Sequence, residues 1–320
     1  MIIIKYCGGL GNQMYQYALQ SVLQEVYPEQ DFKADIFHYN LLKEHNGFEL
    51  CNEFEISLKV ADKDEIKKVS CGFVPGNSYQ MLPYKLRYFI AHKQNYIRQI
   101  NGLFRKKVKQ CRISGYGHNV YNDVVFHLNK ERHYYLDGLW QNINYFKDYE
   151  SLVKRSFKFK RKLLGDDQIL GKHINDLESV SVHVRRGDFA NSKFDICGKT
   201  YYKAAFDAIN KLYDNPHFFF FSDDVEFVRE HFSDIDNKTI VTHSKADGVL
   251  DMQLMSMCKC NIIANSTFSF WSAFLNNNEK KVVIAPAFSL KDEIGCYEFS
   301  LPADWIRINP FNGELVKNCY

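Results

Sequence analysis

The chain has 320 residues, of which 46% are hydrophobic and 25% charged, with a formal net charge of +3. That length suits two domains, and the composition excludes a disordered or fibrous chain. The small net charge gives no argument for nucleic acid, and none is expected as a partner.

In chain order, Ile2 to Tyr6 reads as a buried strand, Gly8-Gly9-Leu10-Gly11 as a loop, and Asn12 as the cap of a helix running to about Tyr27. Met14, Tyr17, Ala18, Val22 and Val26 fall on one face of that helix, and Pro28 stops it. Between about residues 40 and 135 few elements are legible. Tyr134-Tyr135-Leu136 then reads as a strand and residues 144–157 as a helix. From about residue 178 the pattern is regular: strands over 180–184, 218–221, 239–241, 262–264 and 282–285 alternate with helices over 200–213, 225–232, 249–257 and 267–275. The continuous run Phe218 to Phe221 suits a parallel strand covered on both faces. The alternation predicts a doubly wound parallel sheet, and the whole chain reads as two α/β lobes, residues 1–160 and 161–320.

Nine cysteines, an odd number without a small-domain framework, read as free thiols in a reducing compartment. Met1 to Lys5 is too short an apolar start for a signal peptide, and no apolar run approaches the roughly 20 residues of a membrane helix. A cytoplasmic protein is expected, at most peripheral to a membrane. Residues 85–112 carry nine Lys and Arg and no Asp or Glu. Leu86, Ile90, Ile97, Ile100 and Phe104 fall near helical spacing there, so this stretch reads either as a solvated amphipathic helix or as a segment resting on anionic lipid.

Four motifs sit at strand-to-helix junctions, where doubly wound sheets bind ligands. In Gly8-Gly9-Leu10-Gly11-Asn12-Gln13 the glycines permit close backbone approach to a ligand, or simply a tight turn with Asn12 as cap. Met14 stands where a dinucleotide fingerprint would have its third glycine, and a P-loop's Lys-Ser/Thr end is missing. His183-Val184-Arg185-Arg186-Gly187-Asp188 places two arginines at a strand end, as a diphosphate site would, although a solvated Arg-Asp pair fits the same residues. In Phe221-Ser222-Asp223-Asp224 a carboxylate can hold ribose or guanine, or cap the next helix. Asn265-Ser266-Thr267-Phe268-Ser269 opens a helix, where hydroxyls and free N–H groups suit phosphate. The Asp-x-Asp pattern of divalent-metal transferases occurs at Asp62-Lys63-Asp64 and at Asp234-Ile235-Asp236. Both lie in charged, turn-like segments and read as chance, so no metal and no cofactor is expected.

The run from Gly8 to Ala18, the His-Val-Arg-Arg-Gly-Asp run, Phe-Ser-Asp-Asp and Asn-Ser-Thr-Phe-Ser together resemble the bacterial α-1,2-fucosyltransferases of glycosyltransferase family 11. The motifs span residues 8 to 275; Phe270 stands where the family often has tryptophan. The resemblance implies a GT-B-like fold of two facing Rossmann-like lobes with parallel sheets. It implies inverting transfer of fucose from GDP-β-L-fucose to a galactose-containing glycan, without metal. Under it, residues 1–160 form the acceptor side and residues 161–320 bind GDP-fucose. Arg185 holds the β-phosphate with Arg186 in support, while Asp223 and the His183 backbone face guanine. Ser266, Thr267 and Ser269 touch phosphates, Gly9 and Gly11 approach the donor, and Asn12 projects toward the reacting centre. Asp188 or His183 is the base within the motif, with late proton transfer and no dedicated base as the alternative. A fucosyltransferase of another linkage, such as α-1,6, and a non-catalytic nucleotide-sugar or glycan-binding protein are the rival readings.

Overall fold

A computed structural model describes residues 1–41, 45–70, 112–115, 121–291 and 300–316. The basic stretch 85–112 lies outside these residues, apart from the backbone of Arg112. The chain divides into two compact units, Met1–Lys160 and Arg161–Tyr320.

In the first unit, strands β1 (Ile2–Lys5), β2 (Phe32–Asp35), β3 (Arg112–Gly115) and β4 (Tyr134–Gly138) form a sheet in the order β2-β1-β4-β3, with every pairing parallel. All four residues of β1 are buried, as expected for a central parallel strand covered on both faces. Helix α1 (Leu10–Val26) follows it and buries Leu10, Met14, Ala18, Leu19, Val22 and Leu23. The helix starts earlier than its sequence suggests. Gly9 is the N-cap, and Asn12 sits within the first turn, its N–H bonded to the Gly9 carbonyl at 2.9 Å. The reason is Gly8, whose φ of +79° turns the chain sharply enough for the helix to begin two residues on. The helix expected over 144–157 is instead two short 3-10 turns followed by α2 (Glu150–Ser156). The Asn142 side chain accepts from the N–H of Asn144 at 2.9 Å, which caps the first of these turns locally.

In the second unit, six strands pair in parallel in the order β10-β9-β8-β5-β6-β7. They are β5 (Ser179–Val184), β6 (His217–Ser222), β7 (Lys238–Val241), β8 (Cys260–Ile262), β9 (Val282–Pro286) and β10 (Ile306–Ile308). The chain runs from β5 outward through β6 to β7, returns to β8 on the other side of β5, and continues to β10. That reversal makes the gap between the carboxyl ends of β5 and β8 the topological switch point. Helices α3 (Asp166–Asp176), α4 (Lys199–Asn210), α5 (Val225–His231), α6 (Gly248–Met257) and α7 (Thr267–Phe274) connect or flank the strands.

The four phenylalanines of β6 hold this unit together. Phe218 and Phe220 pack on one face with Tyr202, Phe206 and Phe232; Phe219 and Phe221 pack on the other with Ile174, Leu254 and Met255. Each buried ring stabilises the fold by about 1.5–3 kcal/mol. Burial on both sides fixes the sheet's level and thereby the position of the loops at its carboxyl edge.

Candidate active site

Arg185 and Arg186 leave the end of β5 at the switch point. The Arg185 guanidinium donates to Asp223 Oδ2 at 2.7 Å and to Asp188 Oδ1 at 2.6 Å. The Arg186 guanidinium donates to Asp195 Oδ1 at 2.7 Å and lies over the Phe227 ring, 4.3 Å from its centroid. Both side chains remain partly exposed, at 27% and 19%. Paired and stacked guanidinium groups keep one orientation while part of their donor fork still faces outward.

Asp223 organises this loop with both oxygens, since Oδ1 accepts from the Arg186 N–H at 2.8 Å. The approach is close enough that a Cβ on Gly187 would lie 2.6 Å from Asp223 Oδ2, so a side chain there would collide with the carboxylate. The neighbouring Asp224 takes the capping role that the sequence left open between the two, accepting from the Phe227 N–H at 3.0 Å. Ser222 Oγ donates to the Val184 carbonyl at 2.7 Å and ties the ends of β5 and β6 together.

Across the switch point, Asn265 is fixed by donating to the carbonyls of Phe194 (3.0 Å) and Ser289 (2.9 Å). Ser266 is the N-cap of α7, but its hydroxyl makes no capping bond. The first N–H groups of that helix have no intrahelical acceptor and carry its positive dipole end. Ser266, Thr267 and these amides sit beyond the carboxyl end of β8, with the two arginines beyond that of β5.

Two residues of these motifs turn their side chains into the fold. Ser269 is wholly buried, and its hydroxyl is used by the His183 Nδ1 at 2.5 Å and the Ala264 N–H at 3.1 Å. It braces β5 against α7 and does not face a phosphate. His183 is buried as well, and its carbonyl accepts from the Tyr202 hydroxyl at 2.8 Å. Burial, reinforced by the Arg185 charge, pushes the His183 pKa down to about 3. The imidazole is enclosed against Ser269, whereas Asp188, at 57% exposed, is the accessible carboxylate within the motif.

The glycine motif lies at the carboxyl edge of the first sheet. Gly11 is buried in the first turn of α1, whereas Gly8 and Gly9 are half-buried. Gln13 and Gln16 anchor the loop from inside. Gln13 bonds the carbonyls of Gly8 and Gly47 and the N–H groups of Glu49 and Leu50, and Gln16 bonds both backbone groups of Cys7 and the Gly138 carbonyl. The Asn12 Oδ1 accepts from Gln141 Nε2 at 2.7 Å. Gln141 follows Trp140, a buried residue with φ of +57°, a conformation that costs about 1–3 kcal/mol. Of the two Asp-x-Asp runs, Asp62 caps a helix by accepting from the N–H groups of Asp64 and Glu65. Among the described residues no three His, Cys, Asp or Glu side chains are grouped to hold a metal, and no helix is long and apolar enough to cross a membrane.

Sequence reasoning passed over Gly187, Asp195, Phe227 and Gln141. Only Gly187 had a local signal, as a glycine between two charged residues that both need room.

A parallel sheet with charged and amide donors gathered at its switch point places this protein among the doubly wound α/β proteins. The chain belongs to glycosyl transferase family 11, whose sequence model matches residues 1–309, and it is a glycosyltransferase. It is 28% identical over 319 residues to the alpha-1,2-colitosyltransferase of Escherichia coli, covering 96% of this chain and 99% of that one. It is 29% identical over 300 residues to the O-antigen biosynthesis glycosyltransferase WbnK of Escherichia coli, covering 87% and 91%. Among solved structures, NodZ alpha-1,6-fucosyltransferase soaked with GDP-fucose aligns over 86% of this chain and 92% of its own, with a TM-score of 0.50 at 15% identity. A mutant of Arabidopsis thaliana FUT1 in complex with GDP aligns over 91% and 71%, with a TM-score of 0.50 at 11% identity. The α/β fold with parallel sheets thus matches that of GT-B fucosyltransferases.

Proposed function

We propose that this glycosyltransferase moves L-fucose from GDP-β-L-fucose, with inversion, to the 2-hydroxyl of a galactoside in a surface polysaccharide or O-antigen. The observation that carries the reading is the fixed pair Arg185 and Arg186 at the end of β5, with the amino end of α7 beyond the neighbouring β8. The relatives support it: one is named for α-1,2 transfer, one for O-antigen biosynthesis, and a structural neighbour was soaked with GDP-fucose.

In this reading unit 2 binds the donor. As the bond between the sugar's anomeric carbon and the β-phosphate oxygen breaks, the sugar becomes oxocarbenium-like and negative charge grows on the departing diphosphate. Arg185 meets that charge with a planar fork already aimed by Asp223. Ser266, Thr267 and the first amides of α7 meet the phosphates, and a preorganised donor of this kind contributes about 3–4 kcal/mol to the transition state. The acceptor hydroxyl attacks from the opposite face, and Asp188 takes its proton. In this reading no metal or cofactor takes part, and the guanidinium and amide donors hold the leaving diphosphate by hydrogen bonds.

The colitosyltransferase relative favours one second reading, a GDP-colitose donor. Colitose is fucose without its 3-hydroxyl, and a site built to bond that hydroxyl rejects the deoxy sugar strongly. Incubation with either donor and a panel of β-galactosides, followed by linkage analysis of the product, decides between them. Release of GDP only with GDP-colitose, or a product not linked at the 2-hydroxyl, overturns the first reading.

A further inference from the structure

Three elements of the second unit meet on His243, which stands in the loop between β7 and α6. Its Nδ1 lies 2.6 Å from Asp251 Oδ1, in the first turn of α6, and its Nε2 lies 2.8 Å from Asp167 Oδ1, in the first turn of α3. None of the three side chains is more than 22% exposed, so water has little room to replace these bonds. Only an imidazolium donates to two carboxylates at once; a neutral ring would turn a lone pair toward one of them. The bond to Asp251, against burial and with Asp167 adding to it, accordingly pushes the His243 pKa up to about 9. The other charges near the bridge are Asp247 and Arg161, which pair with each other at 2.7 Å.

The bridge holds the start of α6, and α6 packs along α7. Phe268, the second residue of α7, packs with Leu254 of α6 and with Phe219, Phe221 and Val241 of the sheet. A Cβ on Gly248, the first residue of α6, would lie 4.0 Å from the Phe268 ring. The same ring lies 5.6 Å from that of His183. Phe268 stands between Thr267 and Ser269, so a shift in the first turn of α6 reaches the free N–H groups of α7 through one side chain. An apolar contact would brace the helices without desolvating three charges. The ionic form differs in that it opens when a proton leaves.

We infer that Asp167, His243 and Asp251 are positioning residues for the donor diphosphate: bridged, they hold α6 so that Phe268 keeps the amino end of α7 in place, and loss of the His243 proton releases it. The ligand in this inference rests on the donor reading above, whereas the bridge and the helix it positions belong to the second unit itself.

The test uses the full chain. GDP affinity is measured by calorimetry between pH 7 and pH 10, and exchange of the Thr267 to Phe270 amides is followed by hydrogen–deuterium mass spectrometry at pH 7. Guanine itself loses a proton in this range, so each variant is compared with the parent at the same pH. His243→Gln cannot carry the charge and is expected to bind GDP about tenfold more weakly than the parent at pH 7. That deficit is expected to shrink toward pH 10, and the α7 amides are expected to exchange faster. Asp167→Asn leaves the bond to Asp251 and is expected to lower the pH at which affinity falls. His217, at the amino end of β6, is bonded to Asn237 and Thr239. His217→Gln therefore weakens the same sheet away from α7 and is expected to keep parental GDP affinity. Parental affinity in His243→Gln at pH 7, a deficit that persists unchanged to pH 10, or an equal deficit in His217→Gln each overturns the inference. If His243→Gln does not fold, the pH shift in Asp167→Asn decides, and its absence overturns the inference. If the parent binds no GDP at any pH, the donor reading falls, and amide exchange alone decides whether the bridge positions α7; parental exchange in His243→Gln then overturns it.

Discussion

Arg185 and Asp223 are joined at 2.7 Å through Arg185 Nη1 and Asp223 Oδ2, and the same carboxylate holds the Arg186 N–H at 2.8 Å with its other oxygen. One carboxylate therefore sets both the guanidinium plane and the backbone that follows it. Lysine at 185 keeps the charge but replaces a planar fork by a single point donor. Arg185→Lys is expected to lower kcat/KM about 10²–10³-fold, measured by GDP release with GDP-fucose and a β-galactoside. Near-parental turnover would remove Arg185 from its role.

Gly187 is required by geometry more than by flexibility. A Cβ there would meet Asp223 Oδ2 at 2.6 Å, and the carboxylate would have to leave Arg185 or push the loop aside. Gly187→Ala is expected to destabilise the fold by about 1–3 kcal/mol in urea unfolding and to weaken GDP binding measured by calorimetry. Unchanged GDP affinity would show that the arginine loop tolerates displacement.

His243 gives the second unit a pH-dependent contribution to stability. Its Nδ1 lies 2.6 Å from Asp251 Oδ1 and its Nε2 lies 2.8 Å from Asp167 Oδ1. The bond to Asp251 pushes its pKa up to about 9, with Asp167 adding to this against the opposing effect of burial. An unfolded histidine titrates near 6.5. Because the folded value is higher, the stabilisation is complete below the unfolded value and is lost as pH rises through about 9. The stability difference between the parent and His243→Gln, from urea midpoints, is expected to be larger at pH 6 than at pH 10. An equal difference at both would contradict this.

His183 acts in the other direction. Its folded pKa lies below the unfolded one, so its contribution is present above the unfolded value and lost as pH falls toward about 3. His183→Asn is expected to flatten the acid side of the stability profile, followed by circular dichroism between pH 3 and 7, while lowering stability at neutral pH.

The proposed metal independence is checked by assay in EDTA, where turnover with GDP-fucose is expected to persist. Full loss restored by manganese would overturn it.

The chemistry-bearing motifs of the second unit were legible in the sequence because each is contiguous. The run Val180 to Asp188 reads as a strand opening into an arginine loop, and Phe218 to Phe221 reads as a strand buried on both faces, since these patterns repeat at the period of the element itself. The roles of Ser269 and His183 were not legible. Both look polar and available in a motif, and only the packing of α7 against β5 turns them inward on each other.

The sequence by itself determined the alternating strand and helix pattern of residues 178–285 and the arginines at the end of β5, because hydrophobic period and local composition are properties of adjacent residues. Tertiary structure alone decided that Asp223 serves Arg185 and that Asn12 pairs with Gln141. Those partners are 38 and 129 residues apart, and a hydrogen bond depends on where the folded sheets bring their loops, which no local pattern records.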